Sequence, residues 1–379
     1  MNRAKEGAGR HEGPTRKVVA MTQQTAPRDR THRRRPRSWL PALVLVPLGA
    51  LLAPGNASTP VHPPPHLAAT DAADLRAQWT PRPPLNVARA GHDVATVHRR
   101  IFAIGGFGPD LPNAVVLNSV EARRIGGRGT WHTVAPMPTA RSNPAAAALD
   151  GIVYVAGGFG PVFILDVVET FDPATGTWTT SPKLPVPRGA AGAAALGGQL
   201  YVAGGLIPGS PDDKTTASVV VYNPRKGTWN AVQSMTTARK FVRLVATAGY
   251  LYAIGGLSQT DDPLPTVERY DPKSNTWTTV AAMNQVRGNP GVVAINHGSK
   301  HLIVVVGGRG AGSGPQPLRS TEVYNPDTNR WQLLQAQLPR GRGTLVAAAE
   351  PNGTILAIGG AVNINGTETA TAEVHALKL

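Results

Sequence analysis

The sequence predicts an all-β protein, a six-bladed β-propeller, because three kinds of residue recur together six times. Gly-Gly pairs, tryptophans and arginines repeat in phase at intervals of about 50 residues, which is typical of an array of equivalent structural units. The pairs are Gly105-Gly106, Gly157-Gly158, Gly204-Gly205, Gly255-Gly256, Gly307-Gly308 and Gly359-Gly360. The tryptophans are Trp79, Trp131, Trp178, Trp229, Trp277 and Trp331. The arginines are Arg89, Arg141, Arg188, Arg239, Arg287 and Arg342.

Each unit of the repeat has the pattern of four short strands. The first strand is small and apolar, as in residues 144–149, and a turn such as Asp150-Gly151 joins it to a second strand that ends in the Gly-Gly pair. The third strand ends in an aromatic-Asp/Asn-Pro corner, and the fourth carries the tryptophan. Four antiparallel strands repeated around an axis form the blades of a propeller.

The order of Gly-Gly pair, Tyr-Asp-Pro-like corner and tryptophan resembles the kelch repeat, and the resemblance extends over residues 79–379. The corners are Phe171-Asp172-Pro173, Tyr222-Asn223-Pro224, Tyr270-Asp271-Pro272 and Tyr324-Asn325-Pro326. The first unit lacks the corner at residues 120–124, and the last unit has no tryptophan after Gly359-Gly360. The resemblance implies a propeller of kelch repeats.

The missing tryptophan predicts how the ring closes. After Gly359-Gly360 the chain offers one more strand, at residues 372–377, so the last blade is one strand short. Trp79 precedes the first blade and belongs to a fourth strand without a blade of its own. We therefore expect the N-terminal strand around Trp79 to complete the last blade, which leaves no free sheet edge.

Residues 1–57 have the composition of a basic tail followed by a secretory signal peptide. They hold eleven Lys or Arg and three acids, so they carry +8 of the formal net charge of +15. An apolar run from Trp39 to Ala53 follows the basic part, and the small residues Gly55 and Ala57 predict cleavage near Ala57. We therefore expect a secreted or cell-surface protein with a Pro-rich spacer at 58–78 and the propeller at 79–379.

Two alternatives remain open for this segment. It is retained as a membrane anchor if it is not cleaved, although its apolar run is shorter than the roughly 20 residues of a bilayer span. Translation starts at Met1 or at Met21. Because more than half of the net charge lies in this segment, we expect no nucleic-acid partner for the mature protein.

The chain contains no cysteine, and this excludes several classes of function. Disulfides, thiolate nucleophiles and Cys-ligated metal sites are impossible. A copper-radical oxidase, whose centre uses a Cys-linked tyrosine, is excluded for the same reason. The histidines show no metal-ligand spacing, and the glycines form no phosphate-binding loop, so we expect no cofactor and no metal.

The alternation of strand direction brings the longer, dissimilar loops to one face of the ring, here called the long-loop face. Variable loops on a rigid scaffold are where ligands usually bind. The same face receives the in-phase arginines, whose forked donors suit carboxylates. The candidate ligand-binding residues are Arg239, Lys240, Arg243, Arg309, Phe107 and Phe159.

A structural interpretation of the arginine ring competes with the binding hypothesis. Glutamates recur on the third strand of most blades, and a buried carboxylate needs a cationic partner. One arginine and nearly one glutamate per blade indicate a repeated ion pair. The glutamates are Glu121, Glu169, Glu268, Glu322 and Glu373. Arg243 and Arg309 lie outside this pattern, so the binding hypothesis is sharper for them.

The leading functional hypothesis is a monomeric, non-catalytic module that binds an extracytoplasmic protein or glycan through the long-loop face. The alternative is a sugar-processing enzyme: the chain also resembles sialic acid mutarotases, whose isomerase chemistry needs an acid/base pair and an arginine. A surface-structural protein is a third possibility. Kelch propellers share a scaffold and not a function, so the sequence alone does not identify the ligand.

Overall fold

The computed structural model describes residues 77–109, 114–126, 129–210, 212–297, 300–312, 317–364 and 366–379, without the side chains of His297 and Lys300. These residues form six four-stranded antiparallel sheets, numbered as blades 1–6 along the chain. Blade 1 contains β2 (Asp93–Val97), β3 (Arg100–Ile104), β4 (Val120–Arg124) and β5 (His132–Val134). Blade 2 contains β6 (Ala145–Leu149), β7 (Ile152–Ala156), β8 (Val168–Asp172) and β9 (Thr177–Ser181). Blade 3 contains β10 (Gly192–Leu196), β11 (Gln199–Ala203), β14 (Val219–Asn223) and β15 (Thr228–Val232).

The remaining three blades follow the same order. Blade 4 contains β16 (Arg243–Thr247), β17 (Tyr250–Ile254), β18 (Val267–Asp271) and β19 (Thr276–Val280). Blade 5 contains β20 (Gly291–His297), β21 (Lys300–Val306), β22 (Thr321–Asn325) and β23 (Arg330–Leu333). Blade 6 contains β24 (Val346–Ala349), β25 (Thr354–Ile358), β28 (Val374–Lys378) and β1 (Thr80–Arg82). The predicted all-β six-bladed propeller is confirmed.

The first strand of each blade lies nearest the axis. The six first strands contact one another in sequence around a full circle, from β2 through β6, β10, β16, β20 and β24 back to β2. Each pairs on its outer side with the second strand of its own blade, as Ala145 does with Ala156. Small residues dominate these inner strands because six strands converge there.

The N-terminal strand closes the ring, as predicted. Strand β1 pairs antiparallel with β28, and Thr80 lies opposite Ala376. Trp79, next to this strand, is buried against blades 5 and 6, where it packs with Leu377. The two ends of the described chain are therefore hydrogen-bonded partners within blade 6.

Aromatic side chains fill the wedges between blades. The corner aromatic of one blade stacks on the tryptophan of that blade and also meets the second-strand aromatic of the preceding blade. Phe171 lies 5.0 Å from Trp178 and 5.7 Å from Phe102, measured between ring centroids. The indole N–H of Trp178 donates to the carbonyl of Ala135 in blade 1, at 2.9 Å. Trp229, Trp277 and Trp331 donate in the same way, so four of the tryptophans join blades as well as fill space.

The Gly-Gly pairs are required by backbone geometry. Gly157 and Gly158 have φ of 59° and 101°, in the region that favours glycine. A Cβ added to Gly157 would lie 2.1 Å from the carbonyl oxygen of Arg188. The pair therefore marks the place where the end of a second strand meets the start of the next blade.

Two short hairpins occupy stretches that the sequence predicted as loops. Strands β12 (Leu206–Ile207) and β13 (Lys214–Thr215) pair in blade 3, and β26 (Ala361–Ile364) and β27 (Thr367–Ala370) pair in blade 6. Both hairpins connect the second strand of a blade to its third. The long-loop face is therefore partly ordered by local pairing.

The predicted signal peptide (1–57) and nearly all of the predicted spacer (58–78) lie outside the described residues, so these remain predictions. Within the described residues, no helix is long and apolar enough to cross a lipid bilayer.

Candidate functional site

A ring of six residues with positive φ surrounds the axis where the chain enters the first strand of each blade. Their φ values lie between 45° and 55°. They are Gly91, Asn143, Ala190, Phe241, Asn289 and Thr344. Backbone hydrogen bonds join neighbours in the ring, as from the N–H of Asn143 to the carbonyl of Gly91 and from the N–H of Phe241 to the carbonyl of Ala190. The repeat pattern does not reveal this ring, because five of its six members are not glycine.

The six in-phase arginines lie just before this ring, and all are buried. Each donates from Nη1 to the carbonyl of the first glycine in the Gly-Gly pair of its own blade, at 2.7–3.1 Å. The shared phase of the two motifs therefore reflects a direct contact. It also means that these guanidinium groups are engaged inside the protein and turned away from solvent.

Four of the arginines form buried ion pairs with the glutamate on the third strand. The distances are 2.7 Å for Arg89–Glu121 and Arg141–Glu169, 2.5 Å for Arg239–Glu268 and 2.9 Å for Arg287–Glu322. In blade 4 the carboxylate also accepts from the backbone N–H groups of Thr236 and Thr237. Burial lowers the pKa of these arginines, and the adjacent carboxylates counteract that effect. The interpretation of the arginine ring as repeated structural pairs is therefore correct for these four blades.

Blades 3 and 6 lack the pair. Val220 and His375 occupy the second position of the third strand, where the other four blades have glutamate. Burial lowers the pKa of Arg188 to about 10 and that of Arg342 to about 10. Arg342 lies 3.2 Å from Nδ1 of His375.

Glu373 does not pair with Arg342 as the sequence pattern suggested. It lies just before β28, outside the repeat position, and its Oε1 is 3.7 Å from Nη2 of Arg340. Only the backbone carbonyl of Glu373 accepts a hydrogen bond from Arg342.

Arg243 crosses the axis of the propeller. Its Nη1 lies 3.2 Å from Oδ1 of Asp93, in the opposite blade. Its other bonds go to the carbonyls of Pro290 and Leu345 and to Oδ1 of Asn289, at 2.9–3.1 Å. Arg243 therefore ties blade 4 to blades 1, 5 and 6.

Asp93 is held as firmly as its partner. Oδ1 accepts the N–H of Val94 and Oδ2 accepts the N–H of Ala146 in blade 2, both at 2.9 Å. Burial raises the pKa of the Asp93 carboxyl, and the Arg243 guanidinium and the two N–H groups oppose this rise. Together, Arg243 and Asp93 connect five of the six blades, through the ion pair itself and through their hydrogen bonds.

A cavity of about 330 Å³ lies along the axis beside this ion pair. All six first strands line it, and consecutive residues such as Asp93 to Thr96 do so because each strand meets the axis by its edge. Thr96 is exposed, and Ala148, Ala195 and Ala246 are half-buried near the ends of their strands. The cavity therefore opens toward the first-to-second-strand turns, on the face opposite the long loops. Arg243 and Asp93 form its inner end.

A second cavity, of only about 10 Å³, lies on the other side of Arg243. His92 lines it, is buried, and has no hydrogen-bond partner for either ring nitrogen among the described residues. Burial lowers the pKa of His92 well below its usual value, and the charges of Arg89, Arg243 and Arg342 add to this effect. The other blades have Pro, Ala, Val, Pro and Leu at this position, so His92 is a polar exception to the repeat.

The remaining basic candidates lie in ion pairs near the long loops. Lys240 is 2.8 Å from Oδ1 of Asp261, whose side chain is largely exposed. Arg309 is 2.5 Å from Oε2 of Glu368 on the β26–β27 hairpin. Their role in ligand binding stays a prediction, as does that of the buried Arg239.

The aromatic candidates Phe107 and Phe159 occupy one repeat position, directly after the Gly-Gly pair. Each forms isolated backbone bridges, Phe107 with Ala90 and Phe159 with Ser142. A Cβ added to Gly189 would lie 2.6 Å from the ring of Phe159, so this ring covers the entry to blade 3. The candidates are therefore spread over several blades, and only Arg243 of the six lines the axial cavity.

Three exposed apolar side chains on the long-loop face were not among the predicted site residues. Val115, Val162 and Phe163 have exposed fractions of 72–75%, the highest among the large apolar side chains of the described residues. They lie in the loops between the second and third strands of the neighbouring blades 1 and 2. The available signal was that Phe163 has no place in the aromatic pattern of the repeat.

The described residues contain no group of three or more His, Asp or Glu side chains arranged to hold a metal ion. The acids near the axis and on the third strands are instead paired with arginines.

The six four-stranded blades, the Gly-Gly to arginine contact and the closing N-terminal strand define a kelch-type β-propeller. The chain belongs to the Attractin/LZTR1 beta-propeller family, whose model matches residues 153–378.

Curated relatives share short stretches with this chain. They include an F-box/kelch-repeat protein of Arabidopsis thaliana, 37% identical over 83 residues, which is 22% of this chain and 20% of that protein. Kelch-like protein 35 of Mus musculus is 34% identical over 96 residues, 25% of this chain and 16% of that protein. Kelch repeat and BTB domain-containing protein 12 of Homo sapiens is 31% identical over 110 residues, 26% of this chain and 18% of that protein. The matched stretches thus span a fifth or less of each relative.

Among solved structures, that of YjhT superposes with a TM-score of 0.64 at 16% sequence identity. The superposition covers 78% of this chain and 96% of that one. At this identity the likeness shows the fold alone.

Proposed function

We propose that this protein is exported and acts as a non-catalytic module that binds an extracytoplasmic protein through the loops of blades 1 and 2. Kelch-type propellers are generally protein-binding modules. The observation that carries the proposal here is the exposure of Val115, Val162 and Phe163 on one face of two neighbouring blades.

The exposed loops favour an apolar contact surface. Large apolar side chains at loop tips cost solvation free energy unless a partner covers them, and full burial of one contributes about 1.5–3 kcal/mol. Aromatic residues are enriched among the residues that dominate binding at protein interfaces. Phe163 and its neighbour Val162, in one loop of blade 2, therefore suit an interface whose partner supplies an apolar pocket.

The ionisable groups are engaged in ion pairs within the protein, and this supports binding without catalysis. The four Arg–Glu pairs are buried, and Arg243 and Asp93 form an ion pair with each other across the axis. On the long-loop face, Lys240 and Arg309 are neutralised by Asp261 and Glu368. General acid/base catalysis needs a titratable group within reach of substrate, and these groups are occupied by the protein itself.

Export rests on the sequence of the N-terminal segment. A basic stretch, an apolar run from Trp39 to Ala53 and small residues at Gly55 and Ala57 follow the order of a cleaved signal peptide. The test is the N-terminus of the mature protein, read by mass spectrometry after expression of the full chain. Cleavage should follow Ala57, Ala57→Leu should block it, and Ala69→Leu should not. Recovery of the uncleaved chain from the cytoplasm would contradict export.

The binding surface is tested with immobilised protein and extracellular extracts. The amount of partner retained by the Val162→Ser/Phe163→Ser variant should be at least about tenfold lower than for the unaltered protein, because two apolar contacts are removed. Leu333→Ser is the matched control, since Leu333 is an exposed apolar residue on the outer strand β23. The partner should be sensitive to protease. A partner sensitive only to periodate would indicate a glycan, and equal retention by all variants would exclude this surface.

A further inference from the structure

The axial cavity has features that the repeat does not explain. Four of the six inner strands begin with a small or apolar residue, whereas the other two begin with a charged residue that lies at the inner end of the cavity. The first residues of the six inner strands are Asp93, Ala145, Gly192, Arg243, Gly291 and Val346. The two charged members belong to opposite blades and meet on the axis at 3.2 Å. Comparison of the same position in the six blades therefore shows that this pair departs from the repeat.

The ion pair retains unused hydrogen-bonding capacity. An arginine has five N–H donors, and the described residues accept four of those of Arg243. The remaining donor is on Nη1, the nitrogen next to Asp93. Oδ2 of Asp93 accepts from Ala146 and keeps a free lone pair. A donor and an acceptor therefore lie side by side on the two residues that line the inner end of the cavity.

The rest of the cavity is small, uncharged and accessible. Its lining side chains are aliphatic apart from Thr96 and the ion pair, and Thr96 lies at the open end. A volume of about 330 Å³ falls within the range of small-molecule sites and is too small for a folded domain. The edges of the first strands add backbone polar groups to the wall.

We propose that the axial cavity binds a small uncharged molecule whose head group both donates and accepts a hydrogen bond, as a primary amide or a hydroxyl does. The head group accepts from Nη1 of Arg243 and donates to Oδ2 of Asp93. A carboxylate would be repelled by Asp93, and an ammonium group would be repelled by Arg243. The short aliphatic body of the ligand would lie between the alanine and valine side chains of the wall.

The site is distinct from the surface proposed for protein binding. It opens on the opposite face of the ring, and Phe163 takes no part in it. Loss of protein binding in the Val162→Ser/Phe163→Ser variant should therefore leave ligand binding in the axial cavity unchanged, so each proposal can fail without the other.

The test measures the binding of three probes of similar size to the full chain: propionamide, propionate and propylammonium. Titration followed by saturation-transfer NMR should give a millimolar dissociation constant for propionamide and values at least about tenfold higher for both ions, because a site built for paired hydrogen bonds rejects mismatched groups. Equal affinities for the three probes, or no saturable binding of propionamide, would overturn the proposal.

The location is tested by blocking the open end. Thr96→Phe places a ring in the cavity at an exposed position and should abolish propionamide binding, whereas Thr177→Phe makes the same change at an exposed site on β9 and should not. Ala294→Leu, from blade 5, is a second blocking variant in case Thr96→Phe lowers the melting temperature. Retained binding in a folded blocking variant would place the ligand elsewhere.

Discussion

Arg243 and Asp93 are 150 residues apart in the chain, and they form an ion pair of 3.2 Å on the axis of the propeller. Each blade otherwise contacts mainly its two neighbours, so this pair is a cross-link between opposite sides of the ring. The stability of the ring should therefore depend on it more than on any ion pair near the loops.

Replacement of Arg243 by alanine should lower the free energy of unfolding by about 3 kcal/mol, because it leaves the buried Asp93 carboxylate without its cation. Urea denaturation of the two proteins measures the difference. Lys183→Ala is the control: Lys183 is exposed and pairs with Asp166, and such surface pairs contribute less than about 1 kcal/mol. If both variants lose the same small amount, the axial pair is not a structural tie.

Val220→Glu should stabilise blade 3 by about 1 kcal/mol. It introduces at the second position of β14 the carboxylate that pairs with the arginine in four other blades, and Arg188 is buried there without one. Val221→Glu provides the contrast, since it buries a carboxylate at the adjacent position on the other side of the strand. Thermal unfolding should show a higher melting temperature for the first variant and a much lower one for the second.

His92 should make the protein sensitive to acid. Burial lowers its pKa well below the 6.5 of an unfolded histidine, so the unfolded chain binds more protons than the folded one as the pH falls below about 6.5. Stability is therefore lost in that direction, by at most about 1.4 kcal/mol for each pH unit. His92→Leu, which copies Leu345 of blade 6, should reduce the loss between pH 7 and pH 5.

The control for this prediction is His132→Leu, because His132 is exposed on β5. Its urea midpoint should fall between pH 7 and pH 5 as steeply as that of the unaltered protein. An equal effect of the two substitutions would mean that His92 is not the group responsible.

At alkaline pH, two tyrosines should contribute most to the loss of stability. Burial raises the pKa of Tyr270 to about 12 and that of Tyr324 to about 12, whereas an unfolded tyrosine titrates near 10. The contribution of both hydroxyls is complete below pH 10 and is lost as the pH rises through 12. The Tyr270→Phe/Tyr324→Phe variant should lose less stability between pH 9 and pH 11 than the unaltered protein.

The loss of stability in the variant is compared with the loss in the unaltered protein because Arg188 and Arg342 also affect stability in this pH range. Their effect on stability has the opposite sign to that of the tyrosines. Their pKa values are lowered to about 10, so deprotonation favours the folded state above that pH. Both arginines are present in both proteins and their effects cancel. A steeper alkaline loss in the variant would contradict the assignment to the tyrosines.

Features that follow from the repeat were predictable from the sequence. The phase between Arg141 and Gly157-Gly158 reappears as a hydrogen bond, and the recurrence of glutamate predicted pairs such as Arg141–Glu169. Closure by the N-terminal strand followed from a count of strands. Six copies of one pattern make such inferences secure, because every copy tests the others.

Features that depart from the repeat were not predictable. Asp93 and Arg243 break the repeat in different blades, and only the closed ring brings them together. The exposure of Phe163 depends on how one irregular loop folds, and no periodicity governs that. The six positive-φ residues were missed for another reason: their side chains differ, and the tight geometry of the axis imposes the shared conformation.

The pairing of β1 with β28 also sets the order in which the molecule can be completed during synthesis. Blades 1 to 5 are each built from one continuous stretch of chain, so they can assemble one after another as the chain emerges. Blade 6 cannot, because the partner of Thr80 is Ala376, nearly three hundred residues later. Until that strand is made, the first strand has an unpaired edge and the ring stays open. Blade 6, which closes the finished propeller, is therefore one of the last parts of the fold to form.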